Sequence, residues 1–179
     1  MAIEFYVGRL IINNKGVVMN KIVVKVFLTK AMEYVRPIGI GVLIFAAEYF
    51  GKTSAEKFVI IGPGMVILMC GTISFEGFFL AKVGSAKLGY GENSPYQRQS
   101  AIYSLAIALT AVFALVFQLG TNAYITVTST MLMFLILSGS NHLYTALKEG
   151  NRSKTNFLRP ILSAILAIYL IPMIVKLLR

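Results

Sequence analysis

Four apolar runs dominate this chain: Phe58 to Ala81, Gln99 to Leu119, Asn122 to Tyr144 and Pro160 to Leu178. A hydrocarbon core about 30 Å thick is crossed by about 20 mostly apolar helical residues, and each run has close to that length or more. The runs are continuous rather than alternating, so they read as helices; a helix satisfies its own backbone polar groups in lipid. Composition agrees: 57% of residues are hydrophobic and mean hydropathy is +0.76. Charged residues make up 13%, against about 25% in soluble domains. A disordered chain, a disulfide scaffold and a conventional soluble enzyme are excluded. The expected fold is all-α: a polytopic membrane helix bundle.

A fifth run, Pro37 to Gly51, is shorter and bounded by Arg36 and Lys52. It spans if Tyr34 and Val35 join it and Arg36 snorkels to the interface; a re-entrant or interfacial segment is the alternative. Before it, Lys21, Lys25, Thr29 and Glu33 recur every four residues within an otherwise apolar stretch, Val17 to Val35. That pattern predicts a basic amphipathic helix in the membrane interface, or equally an extension of the first spanning helix. The domain reading is therefore a basic amphipathic segment over 1–36 and a transmembrane bundle over 37–179. Met1 to Gly16 lacks the pattern of a cleaved leader, and Met19 is a candidate start.

Loop charge orients the bundle. With five crossings, thirteen of the 17 Lys and Arg residues share one side and four the other. Basic loops stay in the cytoplasm, so the N-terminus is expected inside and the C-terminus outside, in the cytoplasmic membrane. Four crossings would export all six basic residues before Phe58. Seven acids, all Glu, leave a net charge of +10. On a membrane protein that charge favours anionic headgroups of the lipid bilayer as partners, not nucleic acid. Asn151-Arg152-Ser153 matches a glycosylation acceptor, but on the cytoplasmic side it is a chance match. Proline and glycine punctuate the runs: Pro160 is expected to open the last helix, Pro172 to kink it, and Gly62-Pro63-Gly64 to bend or interrupt the second crossing.

Polar residues inside apolar runs are costly and so informative. Glu76 lies within Cys70 to Ala81, where it either faces a partner or sits at headgroup level. His142, the one histidine, ends a stripe of Thr126, Thr130, Phe134 and Ser138 at four-residue spacing. The stripe is expected to face the bundle, with His142 serving either a ligand site or a tie between helices. Glu76, Gln97, Tyr103, Asn141 and His142 fall at one depth and form a candidate ligand or ion pocket facing the cytoplasm. Ser100, Ser104 and Ala108 supply a small-residue face for close helix approach.

Other motifs fail. Gly84 to Gly91 is Gly-rich but lacks Gly-Lys-Ser/Thr and a preceding strand, so it reads as a loop. One Cys, Cys70, and one His all but exclude a zinc or iron site built from His and Cys ligands of one chain. No catalytic residue and no cofactor is assigned. Met65, Met69, Met131 and Met133 read as apolar filler.

Ala86-Lys87-Leu88-Gly89-Tyr90, then Ser94-Pro95-Tyr96-Gln97 and a Leu/Ala-rich helix, resembles an uncharacterised prokaryotic family of small multi-helix membrane proteins. Its later hallmark is a Gly/Ala-rich helix ending in His, with an Asn a few residues on. Here that is Ser138-Gly139-Ser140-Asn141-His142 and Asn151. The resemblance covers Gly71 to Asn151. It departs at Glu76-Gly77, where the family often has Gly-His, and at Tyr90, where Trp is common. It implies a membrane bundle and no assigned activity.

Three functions fit. The first is a small non-enzymatic subunit or accessory of a membrane complex, or a homo-oligomer, suggested by size and the lack of catalytic motifs. The second is an ion- or proton-coupled transporter or channel using Glu76 and His142. The third is an intramembrane enzyme acting on a lipid or quinone. Two-fold sequence symmetry, which would favour a transporter, is not found.

Overall fold

The computed structural model describes the backbone of residues 17–88 and 94–179 and the side chains of 23–86 and 97–179. The Met1–Gly16 reading and the end of the Gly-rich segment, with Tyr90, fall outside these described residues, as do the side chains of Met19 and Lys21. Among the described residues six helices follow in order: α1 Val17–Phe50, α2 Ser54–Phe79, α3 Ala81–Leu88, α4 Ser94–Val116, α5 Thr121–Lys148 and α6 Lys154–Leu178. Among the described residues no strand occurs.

Four of these helices, α2, α4, α5 and α6, are long and apolar enough to cross a membrane. Their outer faces carry large apolar side chains, such as Leu137 at 71% exposure and Ile168 at 75%. A water-soluble chain does not present so much contiguous apolar surface. The protein is membrane-embedded.

Local chemistry moved the helix boundaries. α2 starts four residues before the apolar run because Thr53 caps it. The Thr53 hydroxyl accepts from the Glu56 amide at 3.2 Å, and the Glu56 carboxylate accepts from the Lys52 amide at 2.8 Å. That is a variant of the Thr-x-x-Glu capping box. Pro63 sits inside α2 without interrupting it. Pro160 does not open the last helix: α6 begins at Lys154, with Ser153 as N-cap. The polar residues Asn156 and Arg159, which hid this extra turn from a hydropathy reading, face inward. The Gly-rich loop is in its first half a short helix, α3. The amphipathic segment and the fifth run are one continuous helix, α1, which passes through Pro37.

α2 is the hub and packs against every other helix. Its face of Phe58, Ile61, Met65, Val66, Met69 and Cys70 is almost wholly buried. Against it α4 presents Ala101, Ser104, Ala108 and Ala111, all buried. The approach is so close that a Cβ on Gly77 would lie 2.5 Å from the Ala101 Cβ. α1 folds back along α2 as an antiparallel hairpin. Lys57 pairs with Glu48 at one end, and Arg36 reaches Thr72 and Glu76 at the other. Ile40, Leu43 and Ile44 pack on the core between them. The connections then bring α3, the start of α4, the end of α5 and the start of α6 to the Arg36 end of the bundle.

Candidate functional site

At that end the helices leave a cavity of about 880 Å³. Four of the five residues grouped from the sequence line it: Glu76, Gln97, Asn141 and His142. Tyr103 does not. It is 47% exposed and packs its ring at a tilt against Phe134, with ring centroids 5.3 Å apart. The stripe on α5 fails in the same way. Phe134, Ser138 and His142 line the cavity, but Thr126 is exposed. A helix turns about 100° per residue, so a four-residue repeat drifts about 40° each step and about 160° from Thr126 to His142. Thr126 and Thr130 are satisfied instead by the carbonyls of Asn122 and Thr126, each at 2.9 Å.

Glu76 has a partner that hydropathy reading assigned elsewhere. Arg36 does not snorkel outward. Its Nη2 donates to Glu76 Oε2 at 2.6 Å and its Nε to Thr72 Oγ1 at 2.9 Å, with the two charged side chains 15% and 20% exposed. The Thr72 hydroxyl donates onward to the Met69 carbonyl at 3.0 Å. The carboxylate is thus compensated by a charge on α1, which answers the cost of holding it among apolar residues.

His142 is 6% exposed and bridges α5 to α6. Its Nδ1 is 2.9 Å from Asn156 Oδ1, and its Nε2 is 2.7 Å from Arg159 Nη1. The chain of donors assigns the tautomer. Asn156 Nδ2 donates to the Asn151 carbonyl at 3.0 Å, so Asn156 Oδ1 is the acceptor facing the ring. Nδ1–H therefore donates to Asn156, and Nε2 accepts from the guanidinium, which can only donate. The turn that supports this is set by Gly150, whose φ of +72° suits glycine, and by the Asn151 amide reaching back to the Thr145 carbonyl at 3.3 Å. Ser163 closes the layer: its hydroxyl meets the Leu135 carbonyl at 2.9 Å and the Arg159 carbonyl at 3.0 Å. Gly139 lets α6 come this near, since a Cβ there would sit 3.1 Å from the Pro160 Cα.

Glu76 and His142 therefore do not form a proton-sharing pair, because each is held by an arginine. Those arginines line the cavity and were not singled out from sequence. Neither was Asn156, fully buried behind His142. A signal existed: Asn156, Arg159 and Ser163 are spaced three and four apart, on one helical face. Among the described residues no cluster of three His, Cys, Asp or Glu could hold a metal ion. Cys70 is buried in the core, away from the cavity lining.

The cavity wall is divided. Arg36, Glu76, His142 and Arg159 make one part polar and charged; Met69, Ile73, Phe134, Leu162 and Leu166 make the other apolar. Helices of membrane length around such a chamber define the class: a membrane-embedded helical protein with an internal polar cavity. Within that class, the chain belongs to a family of unknown function, DUF6790, whose model matches residues 52–179. The match takes in α2 to α6 and is wider than the Gly71–Asn151 stretch that carried the resemblance. His142, Asn156 and Arg159 lie inside it, and Arg36 lies outside. No curated protein and no solved structure matches the chain.

Proposed function

We propose that this is a five-crossing protein of the cytoplasmic membrane that binds a small ligand in the cavity between α2, α5 and α6. The cavity carries the reading. Its volume falls within the range of about 300–1,000 Å³ typical of small-molecule sites, and such sites combine apolar walls with a few placed polar groups. An accessory subunit whose only role is packing against partners has no use for a guanidinium oriented through three successive layers: His142, Asn156 and the Asn151 carbonyl. The same bonds argue against a simple Glu76/His142 ion site, since neither group is offered to an ion without first leaving an arginine.

α1 supports the fifth crossing. Its 34 residues extend about 50 Å, more than a bilayer core needs. Its second half lies along α2 between the Glu48–Lys57 and Arg36–Glu76 pairs, with Val42 and Phe45 exposed on the outer side. That lipid-facing surface is what a crossing requires. Its first half then extends on the basic side, where Lys25 and Lys30 meet anionic headgroups. The charge bias argues for the cavity end facing the cytoplasm. Two of the thirteen basic residues on that side, Arg36 and Arg159, line the cavity, and the remaining eleven still outnumber the four opposite.

The test is thermal. A ligand that binds only the folded state raises Tm by mass action. Delipidated protein should gain stability when a total membrane lipid extract is returned, and Ser138→Trp, which fills the cavity from α5, should abolish that gain. Equal gains in both proteins would overturn the reading.

A further inference from the structure

Of the buried side-chain oxygens and nitrogens that lack a hydrogen-bond partner among the described residues, Gln97 Oε1 alone belongs to the cavity lining. The others, on Ser104, Thr128 and Ser153, lie outside it. An unpaired buried acceptor is costly, and native structures leave few of them. The backbone of Gln97 is fixed by the close approach of α4 to α2: its carbonyl oxygen is 3.1 Å from where a Cβ on Gly77 would stand. The amide is less constrained, because the last torsion of a glutamine side chain is broad. A turn toward the chamber offers the oxygen to whatever sits inside. An acceptor asks for a donor. An ionised carboxylate has no proton to give. An ammonium has protons, but Glu76, the inward carboxylate, is already held by Arg36 and offers it no counter-charge. Glu149, also in the lining, is exposed. A hydroxyl is a neutral donor, and its oxygen also accepts. Ser100, three residues on and so on the same helical face, lines the cavity with Gln97 and can supply that second bond. Ile73, Phe134 and Leu162, partly buried hydrophobics in the same lining, leave an apolar wall for a chain.

We infer that the cavity binds a lipid alcohol: an uncharged amphiphile whose hydroxyl head donates to Gln97 Oε1 and whose apolar chain lies against Ile73, Phe134 and Leu162. This inference rests on the ligand-site reading above and adds the chemistry of the ligand.

The chain contains no Trp, so an introduced indole reports alone. Phe134→Trp places it in the cavity wall, and Leu162→Trp is a second wall position should the first variant fail to fold. Ile168→Trp places it on the lipid face, where Ile168 is 75% exposed. Full-length protein in nanodiscs of neutral lipid is titrated with a dibrominated long-chain alcohol, whose bromines quench a nearby indole. The control probe is its methyl ether, which keeps the chain and the oxygen and loses the donor. Quenching of the Ile168→Trp indole measures how much of each probe the bilayer holds, and the wall indole is read against it. On that scale the alcohol should quench the Phe134→Trp indole at concentrations about fivefold lower than the ether, or lower still, as pairing an orphaned buried acceptor requires. Gln97→Leu in the Phe134→Trp protein should erase the preference and leave quenching by the ether in place. Equal quenching by alcohol and ether overturns the hydroxyl assignment while leaving the cavity a ligand site, and this comparison needs no change at Gln97. A preference that survives Gln97→Leu overturns the role of Gln97. If neither probe reaches the wall indole ahead of the lipid-facing one, the ligand class falls. The reading beneath it falls as well only if Ser138→Trp also leaves the thermal gain of lipid extract unchanged.

Discussion

His142 is the residue on which both halves of the site turn. It is buried, and each ring nitrogen has one partner on α6. Asn156→Ala removes the acceptor for Nδ1–H and leaves a buried donor unsatisfied, which costs about 1–3 kcal/mol. We expect that loss as a lower unfolding midpoint, and with it weaker ligand retention, because Arg159 loses its support. His142→Ala should do both as well. If His142→Ala lowers the midpoint but leaves ligand binding untouched, the histidine is only a tie between helices. The Arg36–Glu76 pair behaves differently. Glu76→Gln leaves a largely buried guanidinium without its charge partner and should cost about 1–3 kcal/mol, between the exposed and buried limits for ion pairs. Replacing both, Arg36→Met with Glu76→Leu, should recover most of that loss, and a double-mutant cycle measures it. Glu76, Asn141 and His142 were legible in the sequence because polar groups within apolar runs are costly and rare, and Gln97 because it stands at the start of such a run. Arg36, Asn156 and Arg159 were not. They adjoin the apolar runs, where a charged or amide side chain reads as an interface or loop residue, and only the α1–α2 hairpin and the extra turns of α6 bring them inward.

At the scale of the helices, close approach is controlled by small residues. Gly77→Ala would put a methyl 2.5 Å from the Ala101 Cβ and 3.1 Å from the Gln97 carbonyl. It should destabilise by about 1–3 kcal/mol, as overpacking does, and shift α4 with the Gln97 wall of the cavity. Gly71→Ala, on the same helix with nothing within 4 Å, should instead gain up to about 1 kcal/mol of helix propensity. Comparing the two unfolding midpoints in one detergent checks the contrast. The apolar runs revealed α2, α4, α5 and α6 to within a few residues, because hydrophobic length is what a bilayer selects. The ends were less legible. The Thr53 cap, the entry of α6 at Lys154 and the helical start of the Gly-rich segment depend on backbone hydrogen bonding, which hydropathy does not see. The α5 stripe misled because a four-residue repeat looks straight in sequence and winds around a real helix.

For the whole molecule the question is which side the cavity opens on. The hairpin of α1 and α2 makes a sharp distinction between four crossings and five. In a Cys70→Ser background, Val24→Cys and Thr53→Cys should label from opposite sides of the membrane if α1 crosses, and from the same side if it does not. Glu149→Cys, next to the cavity, should react with a membrane-impermeant maleimide only in inverted vesicles, and Asn122→Cys at the far end only in right-side-out ones. The reverse pattern would put the cavity outside and contradict the charge bias that oriented it. Fold class could be read from composition and run length alone, but the cavity could not, because it arises from how the described helices leave space at one end.

The central claim is that this space holds a small molecule. The direct measurement is to purify the protein from its native membranes, extract what travels with it, and compare the wild type with Ser138→Trp by mass spectrometry. The account predicts one small molecule enriched in stoichiometric amount with the wild type and lost from the variant. An identical extract from both proteins, with nothing enriched above bulk lipid, would contradict it.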